Sequence, residues 1–291
     1  MHITMAGKLG SGKSTIARLL NERHGFEIYS TGKIQRELAR NFGVSTLEMN
    51  KLMSQDTKYD HMIDDEVTRI SVERAEDKLL FDSRMAWHFA KNTFKVFFTI
   101  DPQIAALRVM KDPRGAEETY ADIDDAREKL ILRSLVENER FKQIYGTDNL
   151  SYANYDLIVD TSYETPDNIC KLIYDEYEKF CEAPTSYSRK MFFSPMSLYP
   201  TADADFIRSI KLAGTIAEPI TVACEYNYNY IVSGHGAVLN ALINKAAYVC
   251  ATLPEAIDKA ELDKKIEQSG TDAMKAFEEI GDFTYPSYPK I

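Results

Sequence analysis

The stretch MHITMAGKLGSGKSTIARLL, residues 1–20, decides the fold. Gly7, Gly12, Lys13 and Ser14 fit G-x-x-x-x-G-K-[ST], a pattern whose backbone N–H groups wrap a polyphosphate. The glycines permit the tight, partly left-handed backbone that turns those N–H groups inward. Lys13 would reach the β- and γ-phosphates, and the Ser14 hydroxyl would hold Mg²⁺. Context supports the motif. His2 to Met5 form a short strand-compatible run, and Ile16, Ala17, Leu19 and Leu20 recur at helical spacing. Strand, glycine loop and helix therefore follow in the required order, with the phosphate at a helix N-terminus. The cradle spans Gly7, Lys8, Leu9, Gly10, Ser11, Gly12, Lys13, Ser14 and Thr15.

Outward from this loop, strands and helices alternate to residue 181. IYSTGKIQRELARNF opens as a short strand and turns helical, with Ser30 or Thr31 as cap. VSTLEMNKLM starts another helix, capped by Ser45 or Thr46. DHMIDDEVTRISVERAED is amphipathic, with Ile63, Val67, Ile70 and Ala75 near one face. KLLFDS is a buried strand ending in Asp82, and KVFFTI a near-continuous apolar strand of the kind covered on both faces. DPQIAALRVMKD and DDAREKLILRSLVENERFKQIYG read as helices, with a polar, mobile loop over 112–123 between them. YDLIVDTS is a fifth strand and TPDNICKLIYDEYEKFC a closing helix with Pro166 near its start. The pattern predicts an α/β fold: a doubly wound, parallel, five-stranded sheet with ligands at the carboxyl ends of the strands. Gly7 to Ser14, Ser30, Asp82 and Asp101 then share one rim.

At residue 183 the composition shifts to Ser, Thr and Pro. Residues 1–182 read as the first domain, 183–200 as a linker, and 201–291 as a small α+β domain with a charged helical tail. The chain has 291 residues, room for about two domains. The net charge of −10 argues against DNA or general nucleic-acid binding. The four cysteines form no C-x-x-C pair and no metal spacing, and are expected to be buried thiols of a reducing, cytoplasmic protein. No apolar run reaches membrane-spanning length, and the first residues run directly into strand and loop, so neither membrane nor signal peptide is expected.

The loop alone leaves motors, GTPases and small-molecule kinases open. No N-K-x-D base-reading motif is present, and LLFDSR carries one acid followed by an arginine, which suits a second anionic substrate. On their residues alone, Arg133 and Arg140, with Glu128, Glu137 and Glu139 nearby, fit a solvated charged face better than a site. Asp60 and Asp64, four apart, equally fit a solvent-facing pair.

GKLGSGKS, STGKIQRELA, YDHMIDD, FDSRMAW, LRSLVENERFKQIYGTD and YDLIVDTS occur in the order of the cytidylate kinase-like family, which residues 1–180 resemble. The resemblance implies a P-loop kinase with helical acceptor and lid regions. It would transfer the ATP γ-phosphate, with Mg²⁺, to a nucleoside monophosphate such as CMP or dCMP. It implies Lys13, Asp82, Arg84, Arg133 and Arg140 as catalytic groups. Ser30, Arg36, Asp60, Asp64 and Arg84 would bind the acceptor, Ser14 and Asp82 the metal, and Arg108 is a further candidate. Departures bear on acceptor choice: Ser83 stands between Asp82 and Arg84, Ser134 follows the first lid arginine, and Phe141 follows the second. Two other readings remain open. One is a nucleotide-binding regulatory protein of low turnover. The other is a kinase of small-molecule hydroxyls, which would need Asp82 as general base.

EPITVACEYNYNYIVSGHGAVLNALINKAAYVCATL, residues 218–253, reads as strand, turn, strand, glycine turn, helix, strand. It resembles the sulfiredoxin/ParB-type superfamily, although Gly234-His235-Gly236-Ala237 lacks the arginine of that turn. A nucleotide effector site or self-association is the expectation here. His235 is either a functional group or a packed turn residue. Tyr226, Tyr228 and Tyr230 offer either a partner surface or cross-strand packing.

Overall fold

The structure, a computed structural model, describes residues 1–44, 58–111, 120–211, 218–255 and 258–289. In chain order its first part comprises β1 (His2–Gly7), α1 (Lys13–His24), β2 (Glu27–Ser30), α2 (Thr31–Phe42), α3 (Lys58–Glu73), β3 (Leu79–Asp82), α4 (Ala86–Phe89), β4 (Thr93–Thr99), α5 (Pro102–Lys111), α6 (Ile123–Tyr145), β5 (Leu157–Asp160) and α7 (Pro166–Glu182). The second part comprises β6 (Lys190–Phe193), β7 (Leu198–Pro200), α8 (Ala204–Ser209), β8 (Thr221–Glu225), β9 (Tyr228–Ser233), α9 (His235–Ile243), β10 (Val249–Ala251) and α10 (Lys259–Gly281). The helix expected to start at Ser45 or Thr46, and residues 112–119 of the loop expected between α5 and α6, lie outside the described residues.

The five expected strands are all present, parallel, in the order β2-β3-β1-β4-β5. Successive side chains of β4 point to opposite faces. Val96 and Phe98 join Ile3, Ile16, Leu20, Leu157 and Ile173 under α1 and α7. Phe97 joins Ala6, Trp87, Tyr155 and Ile158 on the other side. Helix ends follow local chemistry. Ser30, Asp122 and Thr165 each accept a backbone N–H at the start of α2, α6 and α7. No helix among the described residues is long and apolar enough to cross a membrane.

The span expected to be a linker is not one. Residues 190–193 form β6, which pairs parallel to β5, and β10 pairs antiparallel to β6, so the main sheet has seven strands rather than five. β7, β9 and β8 form a second, three-stranded sheet. Its apolar side chains do not enclose a separate core. Tyr199, Tyr230, Leu239 and Phe277 belong to the same buried cluster as Phe97 and Ile158. The physical reason is coverage. One face of a sheet buried on both sides must meet apolar partners, and here the C-terminal segment supplies them. The cysteine expectation is also corrected: all four are free, but only Cys170 is buried, while Cys181 and Cys250 are exposed.

Within the C-terminal segment, Tyr228 and Tyr230 are buried against Tyr199, so they pack a core rather than offer a surface. Tyr226 sits at the hairpin turn and donates its hydroxyl to Asp263 at 3.2 Å. His235 is buried at the start of α9. A side chain at Gly234 (φ +87°) would place a Cβ 2.8 Å from Ile220 Cα and Pro219 O, which explains the glycine before it. The His235 Nε2 accepts from the backbone N–H groups of Thr201 (3.1 Å) and Ala202 (3.3 Å). Burial lowers its pKa to about 4 from the usual 6.5.

Between those two values the native state binds fewer protons at His235 than the unfolded chain does. Its contribution to stability is therefore complete above about pH 6.5 and is lost as pH falls towards 4. At pH 4.5 the loss would reach about 2.5 kcal/mol. Thermal melts from pH 7.5 to 4.5 should show a steeper acid decline for the wild type than for His235→Gln. Parallel declines would show that the imidazole remains free to protonate in the fold.

Candidate active site

The site begins where β1 ends. Gly7 has φ +144°, and a Cβ there would lie 2.3 Å from Phe98 O, so no side chain fits. The Lys8 N–H donates to the same carbonyl at 2.9 Å, which fixes the start of the loop on β4. Gly12 takes the left-handed conformation at the N-cap of α1, and no side chain caps that helix. The N-terminus of α1 thus opens at the loop, the position at which helices bind anions, with the Thr15 and Ile16 N–H groups donating to Gly12 O. The Ser11 hydroxyl donates to Lys8 O at 2.7 Å. Lys13 curls back over the loop, its Nζ donating to Gly7 O (3.0 Å) and Lys8 O (3.2 Å). Ser14 is exposed and Thr15 half-buried in the first turn of α1.

Leu9 to Ser14 line a cavity of about 220 Å³ together with Thr31, Asp82, Ser83 and Arg84. Parallel register explains the company. Asp82 pairs with Met5 of β1 and with Ser30 of β2, so the carboxyl ends of three neighbouring strands open onto one space. Arg84 is largely withdrawn from solvent. Burial, and then the neighbouring positive charge of Arg133, lower its pKa to about 10, while Asp82 acts in the opposite direction. It remains a cation at neutral pH. Arg84 also forms an ion pair with Glu137 of α6, one helical turn beyond Arg133. The structure thus brings together the loop, Asp82, Arg84 and Arg133. In the sequence Glu137 belongs to a charged face; its spacing of four from Arg133 is the signal that places both on one side of the helix.

Arg108 also stands by the loop, its guanidinium 4.0 Å from where a Cβ on Gly12 would lie; the remaining residues are placed differently. Arg140 is exposed on α6, seven positions beyond Arg133. Arg36 is exposed on α2. The Ser30 hydroxyl caps α2, accepting from Lys33 N at 3.2 Å. Asp64 is buried, and its carboxylate accepts the Tyr145 hydroxyl at 2.6 Å, so it joins α3 to the end of α6. The side chain of Asp60 lies outside the described residues. Arg108 reaches across from α5, donating to Thr161 O (2.5 Å) and Ser162 O (3.1 Å).

The other half of the rim is closed. Asp101, at the end of β4, accepts the Tyr199 hydroxyl at 2.6 Å and the N–H groups of Gln103 and Ile104. Asp160, at the end of β5, is fully buried and accepts from Ser162, Ser194 and Ser197. Burial raises the pKa of both acids. Asp101 does lie on the expected rim, but the C-terminal segment covers it there.

A model of the cytidylate kinase-like family matches residues 2–163. Cytidylate kinase of Thermoplasma acidophilum is 30% identical over 202 residues, covering 68% of this chain and all of that protein. Cytidylate kinase of Sulfurisphaera tokodaii is 31% identical over 175 residues, covering 60% of this chain and 93% of that one. An S-adenosylmethionine-dependent nucleotide dehydratase of Lacinutrix mariniflava is 30% identical over 178 residues, covering 61% of this chain and 36% of that protein. The matched span holds the glycine loop, Asp82, Arg84, Arg133 and Arg140, and stops before the strands of the C-terminal segment. The chain belongs to the cytidylate kinase-like family.

Proposed function

We propose that the chain transfers the γ-phosphoryl group of ATP to a nucleoside monophosphate, with CMP and dCMP as the preferred acceptors. The observation that carries this reading is the juxtaposition of Arg84, beside Arg133 and Asp82, with the cavity that the glycine loop lines. The loop, through its amides and Lys13, suits the donor's phosphates, and the arginines suit the acceptor's. The names of the relatives favour a cytidine nucleotide.

The chemistry needs no general base. The attacking phosphate oxygen of a monophosphate is already an anion, so catalysis reduces to positioning and to neutralising charge. Planar guanidinium groups bind phosphate by two parallel hydrogen bonds and hold it in line. Burial makes Arg84 more effective, because little water screens it. Ser14 and Asp82 line the same cavity and fit a magnesium ion. No group of three or more His, Cys, Asp or Glu side chains that could hold a metal occurs among the described residues. That suits an ion bound through one or two side chains and the nucleotide's own phosphates. When bound, it would supply charge neutralisation on the phosphates. Arg133 and Arg140 ride on α6, the helix expected to act as a lid, and α6 would exclude water from the transfer.

The first test is ADP release from ATP–Mg²⁺ with CMP, dCMP, UMP, AMP and GMP, beside an acceptor-free control. A cytidine nucleotide should give the highest kcat/KM. Silence with all five acceptors, despite ATP binding, would refute the reading.

Two sets of variants separate the roles. Lys13→Met should lower kcat by about 10²–10³-fold, the usual cost of losing a charge-stabilising donor. Arg84→Ala should lower kcat/KM for the acceptor by at least about 10²-fold and leave the KM for ATP within a few-fold. Asp82→Asn should raise the Mg²⁺ concentration needed for half-maximal rate. An unchanged Mg²⁺ dependence in that variant would remove Asp82 from the metal site.

A further inference from the structure

Lys8 is the second residue of the glycine loop, yet its side chain is 5% exposed and is not among those lining the phosphate cavity. Its Nζ donates to the backbone carbonyl of Asn227 at 2.7 Å, across 219 positions of sequence. Asn227 and Tyr226 form the two-residue turn between β8 and β9, with φ of +68° and +50°. A turn with both residues left-handed matches the twist of the strands it joins, so the tip is well defined.

Lys8 is equally tied on its backbone side. Its N–H donates to Phe98 O, and its carbonyl accepts from the Ser11 hydroxyl and from Lys13 Nζ. One residue therefore links the hairpin tip to the two groups that shape the anion cradle. The hairpin does not float. The Asn229 side chain accepts the Tyr152 hydroxyl at 2.6 Å and donates to Thr99 Oγ1 at 3.3 Å, at the carboxyl end of β4. Tyr226 reaches Asp263 on α10.

A loop carrying Gly7, Gly10 and Gly12 has many conformations to lose when it closes on phosphate. A buried ammonium strongly prefers the one arrangement that gives it an acceptor. Resting on the reading that this loop takes ATP, we propose that Lys8 is a positioning residue through which the hairpin tip, Tyr226–Asn227, holds the loop in its phosphate-binding shape. The C-terminal segment thereby sets the affinity for nucleotide. Linkage makes the coupling reciprocal: anything that displaces the hairpin weakens nucleotide binding, and nucleotide binding steadies the hairpin by the same factor.

The test is calorimetric titration of the full chain with ATP–Mg²⁺, with no acceptor present, beside hydrogen exchange of residues 7–14. Lys8→Met keeps the length of the side chain and removes the donor. It should raise the Kd for ATP by about tenfold, the effect of one charge-assisted hydrogen bond. Exchange over residues 7–14 should quicken while exchange over α7 stays unchanged. Lys8→Arg, which can still donate, should recover most of the affinity. Asn227→Val, which disfavours φ of +68°, should weaken binding in the same direction, and Asn227→Gly should not. The double variant Lys8→Met/Asn227→Val should bind no more weakly than Lys8→Met alone, because both remove the same contact. A Kd within twofold of wild type for Lys8→Met would overturn the proposal. So would a rise in exchange shared equally by α7, which would mark general destabilisation. ATP binding that weakens in Lys8→Met while no monophosphate is phosphorylated by the wild type would refute the proposed acceptor and leave the positioning role standing.

Discussion

A carboxylate sealed from water must be surrounded by donors, and Asp160 is such a group. It closes β5, and its oxygens accept from Ser162 nearby in sequence and from Ser194 and Ser197 far along the chain. The second pair belongs to the segment between β6 and β7. Removing that segment would leave a buried acid half satisfied, at a cost of several kcal/mol. Asp101 repeats the arrangement on β4, with Tyr199 as its distant donor. The ends of β4 and β5 therefore need the C-terminal half of the chain, and the continuous apolar cluster on that face of the sheet follows from the same docking.

This dependence also explains where the site is. In a parallel sheet every strand delivers its carboxyl end to the same rim, so all of it is available to ligands in principle. Here the β4–β5 half is closed by tyrosines and serines of the C-terminal segment. The β1–β3–β2 half is left to the glycine loop, Asp82 and Arg84. The closed half still bears on the open one. Lys8 stands at the boundary, with its backbone in the loop and its ammonium on the hairpin.

The legible parts of the sequence were those set by short-range rules. The glycine spacing before Lys13 and the helical recurrence of Ile16, Leu19 and Leu20 are local facts, and the first five strands, with α1, α2, α3, α5, α6 and α7, fall where such facts place them. Asp82 was legible because a strand end in this fold must face the rim. β6 was not, and neither was the pairing that brings β10, expected as a strand, into the main sheet. KMFF is short and lies in a Ser-, Thr- and Pro-rich span, without the length or alternation that marks a strand before its partners are known. Asp64 and Tyr145 lie 81 positions apart, and Lys8 and Asn227 lie 219 apart. No periodicity reports such pairs, since only the folded chain brings a tyrosine hydroxyl to one acid or a turn carbonyl to one lysine. Tyr228 and Tyr230 show the same limit from another side. Alternation put them on one face, but which face is buried depends on β7 and on the sheet beyond it.

Charge sets the final constraint. The chain carries a net charge of −10. Its long-range field repels nucleotides rather than steering them, although salt screens that field within about 8 Å at physiological ionic strength. On the proposed reading, affinity for two polyanions must come from groups in direct contact: the loop amides, Lys13, Arg84 and Arg133. The burial of Arg84 serves that end. A guanidinium half removed from water attracts phosphate more strongly than an exposed one, but it tolerates solitude less well. Glu137 answers this from α6, giving Arg84 an anionic partner in the absence of substrate. A phosphate arriving at Arg84 must share that guanidinium with Glu137 or displace it. On the same reading, Glu137 and Arg133 ride on one helix, so acceptor binding at Arg84 would be coupled to the placement of α6.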